Sequence, residues 1–306
     1  VYYMDARTGE TTHFPNATFN PKRIGDKFIR CVTVDKRNRI WVGTPTGLVL
    51  FNPSQISFTH YPTEREVVSI EENPDGQILL GCGAGLYIFD PENGKIDKLA
   101  SDPSVSAMMI DSQGSLWSSS YKGLWQRYPK SKQFTIQSQF GLGVSSIAED
   151  VNGEIWILAA DKKDDYWFST LIKLNPSLGT VSANQVNQLD PRTKLGTGSL
   201  FLDRKKNMMV IYKRILGKYI SESQTFETSE IKDPHVESIT SFMDSNGTIW
   251  FGGWAGITRF DPKTAANKKL IAFAQSTVHS FLEDSSKNLW IGSTAGLTRY
   301  NLTTGK

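Results

Sequence analysis

The chain has 306 residues, 39% of them hydrophobic and 21% charged, the proportions of an ordinary globular protein rather than a disordered or fibrous one. Lys and Arg number 34 against 31 Asp and Glu, and a net charge of +3 at this length points away from nucleic acid and acidic membrane surfaces. Two cysteines make no disulfide framework, no Cys/His spacing suggests zinc, and no apolar run nears the ~18 residues of a membrane span. A start at Val1 rather than Met is expected of an excerpt from a longer chain.

The eight tryptophans mark a repeat. Five share one neighbourhood: Ile40-Trp41-Val42-Gly43, Leu116-Trp117, Ile155-Trp156-Ile157, Ile249-Trp250-Phe251-Gly252 and Leu289-Trp290-Ile291-Gly292. Two further segments, Ile78-Leu79-Leu80-Gly81 and Met208-Met209-Val210, fit with Trp replaced. Reference positions 41, 79, 117, 156, 209, 250 and 290 are then separated by 38, 38, 39, 53, 41 and 40 residues. A period near 40 belongs to solenoids and propellers.

Other columns keep step. Six residues before each reference stands Asp35, Asn73, Asp111, Asp150, Asp203, Asp244 or Asp284, followed by turn residues such as Gly114, Gly153 and Gly247. That is hairpin chemistry, in which the Asp or Asn side chain bonds local backbone N–H groups. Ten residues before each reference the side chain is small: Cys31, Ser69, Ala107, Ser146, Ser199, Thr240 and Ser280. Six residues after, Gly47, Gly85, Gly123, Gly256 and Gly296 open a third strand, which often ends in Asn/Asp-Pro as at Asn52-Pro53 and Asp261-Pro262. A short fourth strand follows, for example Gln133-Phe134-Thr135-Ile136.

Each unit reads as four short antiparallel strands, A to D, with no helical stretch. The prediction is an all-β, seven-bladed β-propeller whose small-residue column lies on the crowded innermost strands. The blades fall at about 28–62, 67–100, 104–138, 144–188, 197–230, 236–274 and 278–305. Residues 10–16 are expected to supply the last blade's strand D and close the ring, leaving no open edge. The period is short for kelch repeats, and the Trp-Asp dipeptide of WD40 repeats is absent.

The segment from Val278 to Asn301, with Asp284, Leu289-Trp290-Ile291-Gly292 and Gly296-Leu297-Thr298-Arg299-Tyr300-Asn301, resembles the two-component-regulator propeller repeat. Similar matches cover all seven units. The resemblance implies the periplasmic sensor region of a Bacteroides-type hybrid two-component system. There, two propellers and an immunoglobulin-like domain precede a membrane helix and a histidine kinase, the receptors are homodimers, and glycan breakdown products are the signals. This chain would be one of the two propellers, with an oligosaccharide as partner, no nucleic acid and no cofactor.

The residues themselves offer little catalysis. His13, His60, His235 and His279 lie in separate repeats with no metal-binding spacing, and no GxSxG elbow is present. Glu72, Glu149 and Glu283 share a strand-A column and read as strand-end hydrogen-bonding groups rather than catalytic acids. Cys31 and Cys82 read as packed free thiols, and the five repeat tryptophans as packing between blades. Neither a catalytic residue nor a metal site is predicted. Departures from the repeat carry the site instead. The 53-residue gap holds the insertion Asp161–Phe168, placing Tyr166 and Trp167 at a predicted loop tip. The other B–C loops supply Tyr121, Lys122, Lys213, Arg214 and Trp254. Arg30 and His279 open their strands A and would face the same mouth, with Lys22 and Arg23 before them. Aromatic rings beside cationic donors suit a carbohydrate, the rings covering apolar sugar faces and the cations bonding hydroxyls, carboxylates or sulfates. A dimerisation scaffold with ligand bound elsewhere, and a propeller lyase or lactonase, are the alternatives.

Overall fold

The computed structural model describes residues 2–4, 11–13, 28–55, 57–100, 105–120, 123–131, 133–137, 143–163, 166–176, 180–185, 198–212, 214–232, 239–254, 256–270 and 276–303. The fold is a seven-bladed β-propeller of small sheets, all-β, with no helix among the described residues. By contacts the chain forms two compact units, residues 1–105 with 276–306, and residues 106–275.

The first unit holds three sheets. One comprises β3 (Cys31–Val34), β4 (Ile40–Thr44), β5 (Gly47–Asn52) and β6 (Ser57–Pro62). The next comprises β7 (Val67–Glu72), β8 (Ile78–Cys82), β9 (Gly85–Asp90) and β10 (Lys95–Ala100). The chain's two ends share the last, in which β1 (Tyr2–Met4) and β2 (Thr11–His13) join β27 (Val278–Glu283), β28 (Asn288–Ser293) and β29 (Gly296–Asn301). The second unit holds four sheets. These are β11 (Met108–Ile110) to β14 (Thr135–Gln137), and β15 (Gly143–Glu149), β16 (Ile155–Lys163), β17 (Tyr166–Asn175) and β18 (Thr180–Gln185). The others are β19 (Gly198–Leu202), β20 (Met208–Tyr212), β21 (Ile215–Ile220) and β22 (Thr225–Glu230), and β23 (Thr240–Met243), β24 (Ile249–Gly253), β25 (Gly256–Asp261) and β26 (Ala266–Leu270).

The N-terminal segment joins the last sheet, but not in the expected register. Tyr2–Met4, not residues 10–16, lies beside β29, running parallel with Tyr2 opposite Thr298. Thr11–His13 lies outside it, paired antiparallel with Tyr2–Met4. The segment has the pattern of a C–D hairpin, and a hairpin closed over a few residues costs less loop entropy than separate docking of its second strand. The two strands therefore remain together and add as a pair.

Alternation along strand B builds the core. Ile40 and Val42 enter a cluster with Trp290 of the last sheet, while Trp41 between them enters the cluster of Ile70, Ile78, Leu80 and Phe89. In the second unit Ile155 and Ile157 meet Trp117, and Trp156 meets Met208, Val210 and Tyr212. A strand's period of two thus sends neighbouring residues into neighbouring blade interfaces, and burying each indole contributes ~2–3 kcal/mol. Gly43 permits close approach, since a Cβ there would stand 2.6 Å from the Val67 carbonyl oxygen on the next innermost strand. The strand-A position eight residues before each reference holds Thr33, Met109, Ala148, Phe201, Phe242 and Leu282, but also Glu71, whose carboxyl burial pushes up to about 8.

The Asp column does more than shape turns. Asp Oδ2 accepts the indole N–H of the reference tryptophan, at 2.8 Å for Trp41, Trp156, Trp250 and Trp290 and 2.9 Å for Trp117. Oδ1 of the same Asp accepts backbone N–H groups two and four residues on, as from Gln113 at 3.0 Å and Ser115 at 2.7 Å to Asp111. The third turn position is left-handed in all seven blades, at Gly76, Gly114, Gly153 and Gly247 but also at Asn38, Lys206 and Lys287. The carboxylates Glu72 and Glu149 reach the preceding blade's turn, accepting the Lys36 N–H at 2.8 Å and the Ser112 N–H at 2.6 Å. This is the strand-end role expected of them.

Trp156→Phe keeps a ring between blades but deprives Asp150 of its indole donor, and is expected to cost about 2 kcal/mol in urea unfolding. Combination with Asp150→Ala separates the hydrogen bond from the ring, because the second substitution should then cost much less than it does alone. Deleting residues 1–13 removes two strands from the last sheet and is expected to lower the calorimetric melting temperature by several degrees.

Candidate ligand site

In the first unit two strand-A starts carry basic side chains, Arg30 just before β3 and His279 on β27. Ile29 is fully buried, and its N–H bonds the Ser293 carbonyl of the last sheet at 3.0 Å. Arg30 follows, tied by its own N–H to the Gly43 carbonyl at 2.9 Å. This backbone pairing fixes the root of the Arg30 side chain beside β27. On β27 the ladder slips between Val278 and Ser280, so His279 is the extra residue of a β-bulge. A bulge removes one residue from the pairing alternation and re-aims its side chain.

Arg30 Nη2 forms an ion pair with Glu66 Oε2 at 2.8 Å, the two side chains 37% and 39% exposed, so the pair faces solvent. Around it hydrogen bonding is incomplete. Arg30 Nε, His279 Nε2 and Ser280 Oγ are buried and have no hydrogen-bond partner among the described residues. Each such group costs about 1–3 kcal/mol unless water or a ligand completes it. Burial, and behind it the Arg30 charge, holds the His279 imidazole below its ordinary range. Arg30, His279 and Ser280 thus carry buried unpartnered polar atoms, and Arg30 also holds the exposed carboxylate of Glu66.

The structure brings Arg30 and His279 together and distributes the other predicted residues among separate sheets of the second unit. Trp254 is 57% exposed in the turn between β24 and β25, as expected of a loop tip. Arg214 lies in the turn between β20 and β21, and its guanidinium pairs with Glu230 at 3.3 Å. Tyr166 and Trp167 correct the prediction: the insertion is a lengthened hairpin, not a loop, with Lys162 opposite Trp167 and Lys163 opposite Tyr166. Tyr121, Lys122, Lys213, Lys22 and Arg23 lie outside the described residues. Sequence reasoning missed Glu66 and Ser280. For Glu66 the available signal was a carboxylate just before β7, in the repeat after Arg30.

A second concavity of about 190 Å³ in the second unit is lined by Asp111, Gln126, Tyr128, Glu149 and Pro176 among others. Its carboxylates are already engaged, Asp111 by Trp117 and its own turn, Glu149 by Ser112. Cys82 is a buried free thiol whose pKa burial pushes up to about 12, and Cys31 is free and shifted the same way, so neither is poised as a nucleophile. Among the described residues no three His, Cys, Asp or Glu side chains group as metal ligands.

The family profile described as two component regulator propeller matches residues 23–46 and 272–295, the stretches that contain the Arg30 and His279 strands. The chain carries two-component-regulator propeller repeats. Among solved structures it is similar to an extracellular domain assigned to a hybrid two component system of B. thetaiotaomicron, with TM-score 0.77 and 16% identity over 94% of this chain and 40% of that one. An extracellular domain assigned to a one component system of the same organism matches with TM-score 0.72 and 16% identity, covering 97% and 43% of the two chains. Virginiamycin B lyase from Staphylococcus aureus matches with TM-score 0.71 and 13% identity, covering 89% and 94%. At such identities the likeness is one of fold. The chain spans about two fifths of the length of the two B. thetaiotaomicron domains. No curated protein matches it.

The depressed His279 pKa carries a sign. The unfolded chain takes up the proton first, so the propeller should lose stability as pH falls through 6.5 toward the lower folded value. With His279→Gln that loss disappears, and the melting-temperature difference should shift in the variant's favour between about pH 7 and about pH 5. A difference that stays constant over the range would contradict this.

Proposed function

We propose that this propeller is part of the periplasmic sensor region of a two-component receptor and binds an oligosaccharide released by glycan breakdown. The observation that carries the reading is the set of unpartnered polar atoms at Arg30, His279 and Ser280, with the exposed Arg30–Glu66 pair, in the stretches that match the two-component-regulator profile. Sugar hydroxyls complete buried donors and acceptors as water does, and with fixed geometry. Exposed Trp254 and the strand-borne Trp167 supply ring surface for apolar sugar faces in the same reading.

The module itself is non-enzymatic, and the likeness to a lyase does not weigh against this, since one fold hosts many chemistries. Signalling then requires ligand to bind one receptor arrangement more tightly than another, because equal affinity shifts nothing. The second propeller, the immunoglobulin-like domain, the homodimeric partner and the histidine kinase are the elements such a shift would act on.

A thermal-shift screen of oligosaccharides followed by titration calorimetry tests the reading. A saccharide that raises the melting temperature and binds saturably is the expected result; no saccharide bound by the folded chain is the opposing one. Replacing Trp167 and Trp254 by Ala is expected to weaken binding about three- to tenfold with the melting curve of the free protein unchanged. Unchanged affinity would remove both from the site.

A further inference from the structure

Arg30 is a permanent cation whose Nη2 is occupied by Glu66 and whose buried Nε has no partner among the described residues. His279, on the neighbouring innermost strand, stands close enough for the Arg30 charge to act on it, and its Nε2 is likewise unpartnered. The bulge that displaces His279 from the ladder, and the backbone bonds that root Arg30 beside Ser293, hold the two donors on ordered strands rather than on loops. Among the described residues the carboxylate paired with Arg30 is Glu66, which is part-exposed and therefore able to reorient.

A neutral hydroxyl could accept from either donor but would gain nothing special from the guanidinium charge. An oxyanion would gain charge-assisted hydrogen bonds, about twice as strong as neutral ones. We infer that Arg30 and His279 form a subsite for an oxyanion on the ligand, a uronate carboxylate or a sulfate ester, and that Glu66 occupies the guanidinium when no ligand is bound. The recognised glycan is accordingly an acidic one. This rests on the sensor reading and narrows it.

The test is titration calorimetry on the whole chain with three sets of probes. Oligogalacturonates and their methyl esters form one set, sulfated chondroitin oligosaccharides and their desulfated forms another, and neutral malto- and xylo-oligosaccharides the third. Binding of an acidic probe, lost on esterification or desulfation, is expected; which pair responds separates carboxylate from sulfate. Arg30→Gln should weaken that binding at least about tenfold. Glu66→Gln releases the guanidinium and should tighten binding severalfold, a gain that misfolding cannot imitate. Neutral probes binding as well as acidic ones, or Glu66→Gln leaving affinity unchanged or reduced, overturns the subsite while the sensor reading stands. Failure of every probe overturns both.

Discussion

The Asp carboxylate at six of the seven A–B turns is the interaction on which the rest of the structure depends. One oxygen gathers two backbone N–H groups and so shapes the turn; the other holds the indole N–H of the tryptophan that packs toward the next blade. Local turn geometry and interface packing are thereby set by a single side chain. At Asp35 burial pushes the carboxyl up, but the hydrogen bonds from Trp41 and Arg39 and the Arg39 charge outweigh it and hold the group below its usual range. Where the tryptophan is absent the second function changes hands. Asp203 accepts the Asn207 side-chain amide instead, and Asn73 pairs with Gln77. The turn survives in both cases because its backbone bonds need only one acceptor atom.

Blade-to-blade contact is built from the same economy of parts. Strand B sends alternate residues to opposite sides, so Ile40 and Trp41 serve different clusters although they are adjacent in sequence. Carboxylates at strand-A ends, Glu72 and Glu149, add a polar seam by capping the previous turn. These residues belong to the scaffold. The groups that remain chemically unsatisfied, Arg30 Nε and His279 Nε2, lie at the opposite end of the innermost strands, where the columns lapse. Under the proposed reading, the repeated columns serve stability and these non-repeated positions of the same strands serve recognition.

Prominence in the sequence was a poor guide to where those positions lie. Trp167 stands out as an aromatic inside a charged insertion, yet the insertion lengthens a hairpin and places Trp167 opposite Lys162 in a ladder. Trp254 is exposed as its loop position implied. Arg30 and His279 were legible as strand-opening cations, but their incomplete hydrogen bonding was not, because it depends on a bulge at Val278–Ser280 and on the Arg30–Glu66 ion pair. Glu66 has no motif of its own; its meaning comes from lying opposite an arginine 36 residues earlier.

By itself the sequence determined the blade count, the four-strand unit, the turn positions and the tryptophan packing. Each follows from a short-range pattern repeated along the chain: Asp or Asn six residues before each of seven references, alternation along strand B, and Gly opening strand C in five units. Tertiary structure alone decided which hydrogen bonds close between columns, such as Asp150 with Trp156 and Glu149 with Ser112. It also decided that Tyr2–Met4 rather than residues 10–16 lies beside β29, and that Arg30, Glu66 and His279 meet. The physical reason is range. Periodicity reports the environment of a residue along its own strand, whereas a site is formed by side chains from different repeats, whose meeting depends on packing and register that no single repeat encodes.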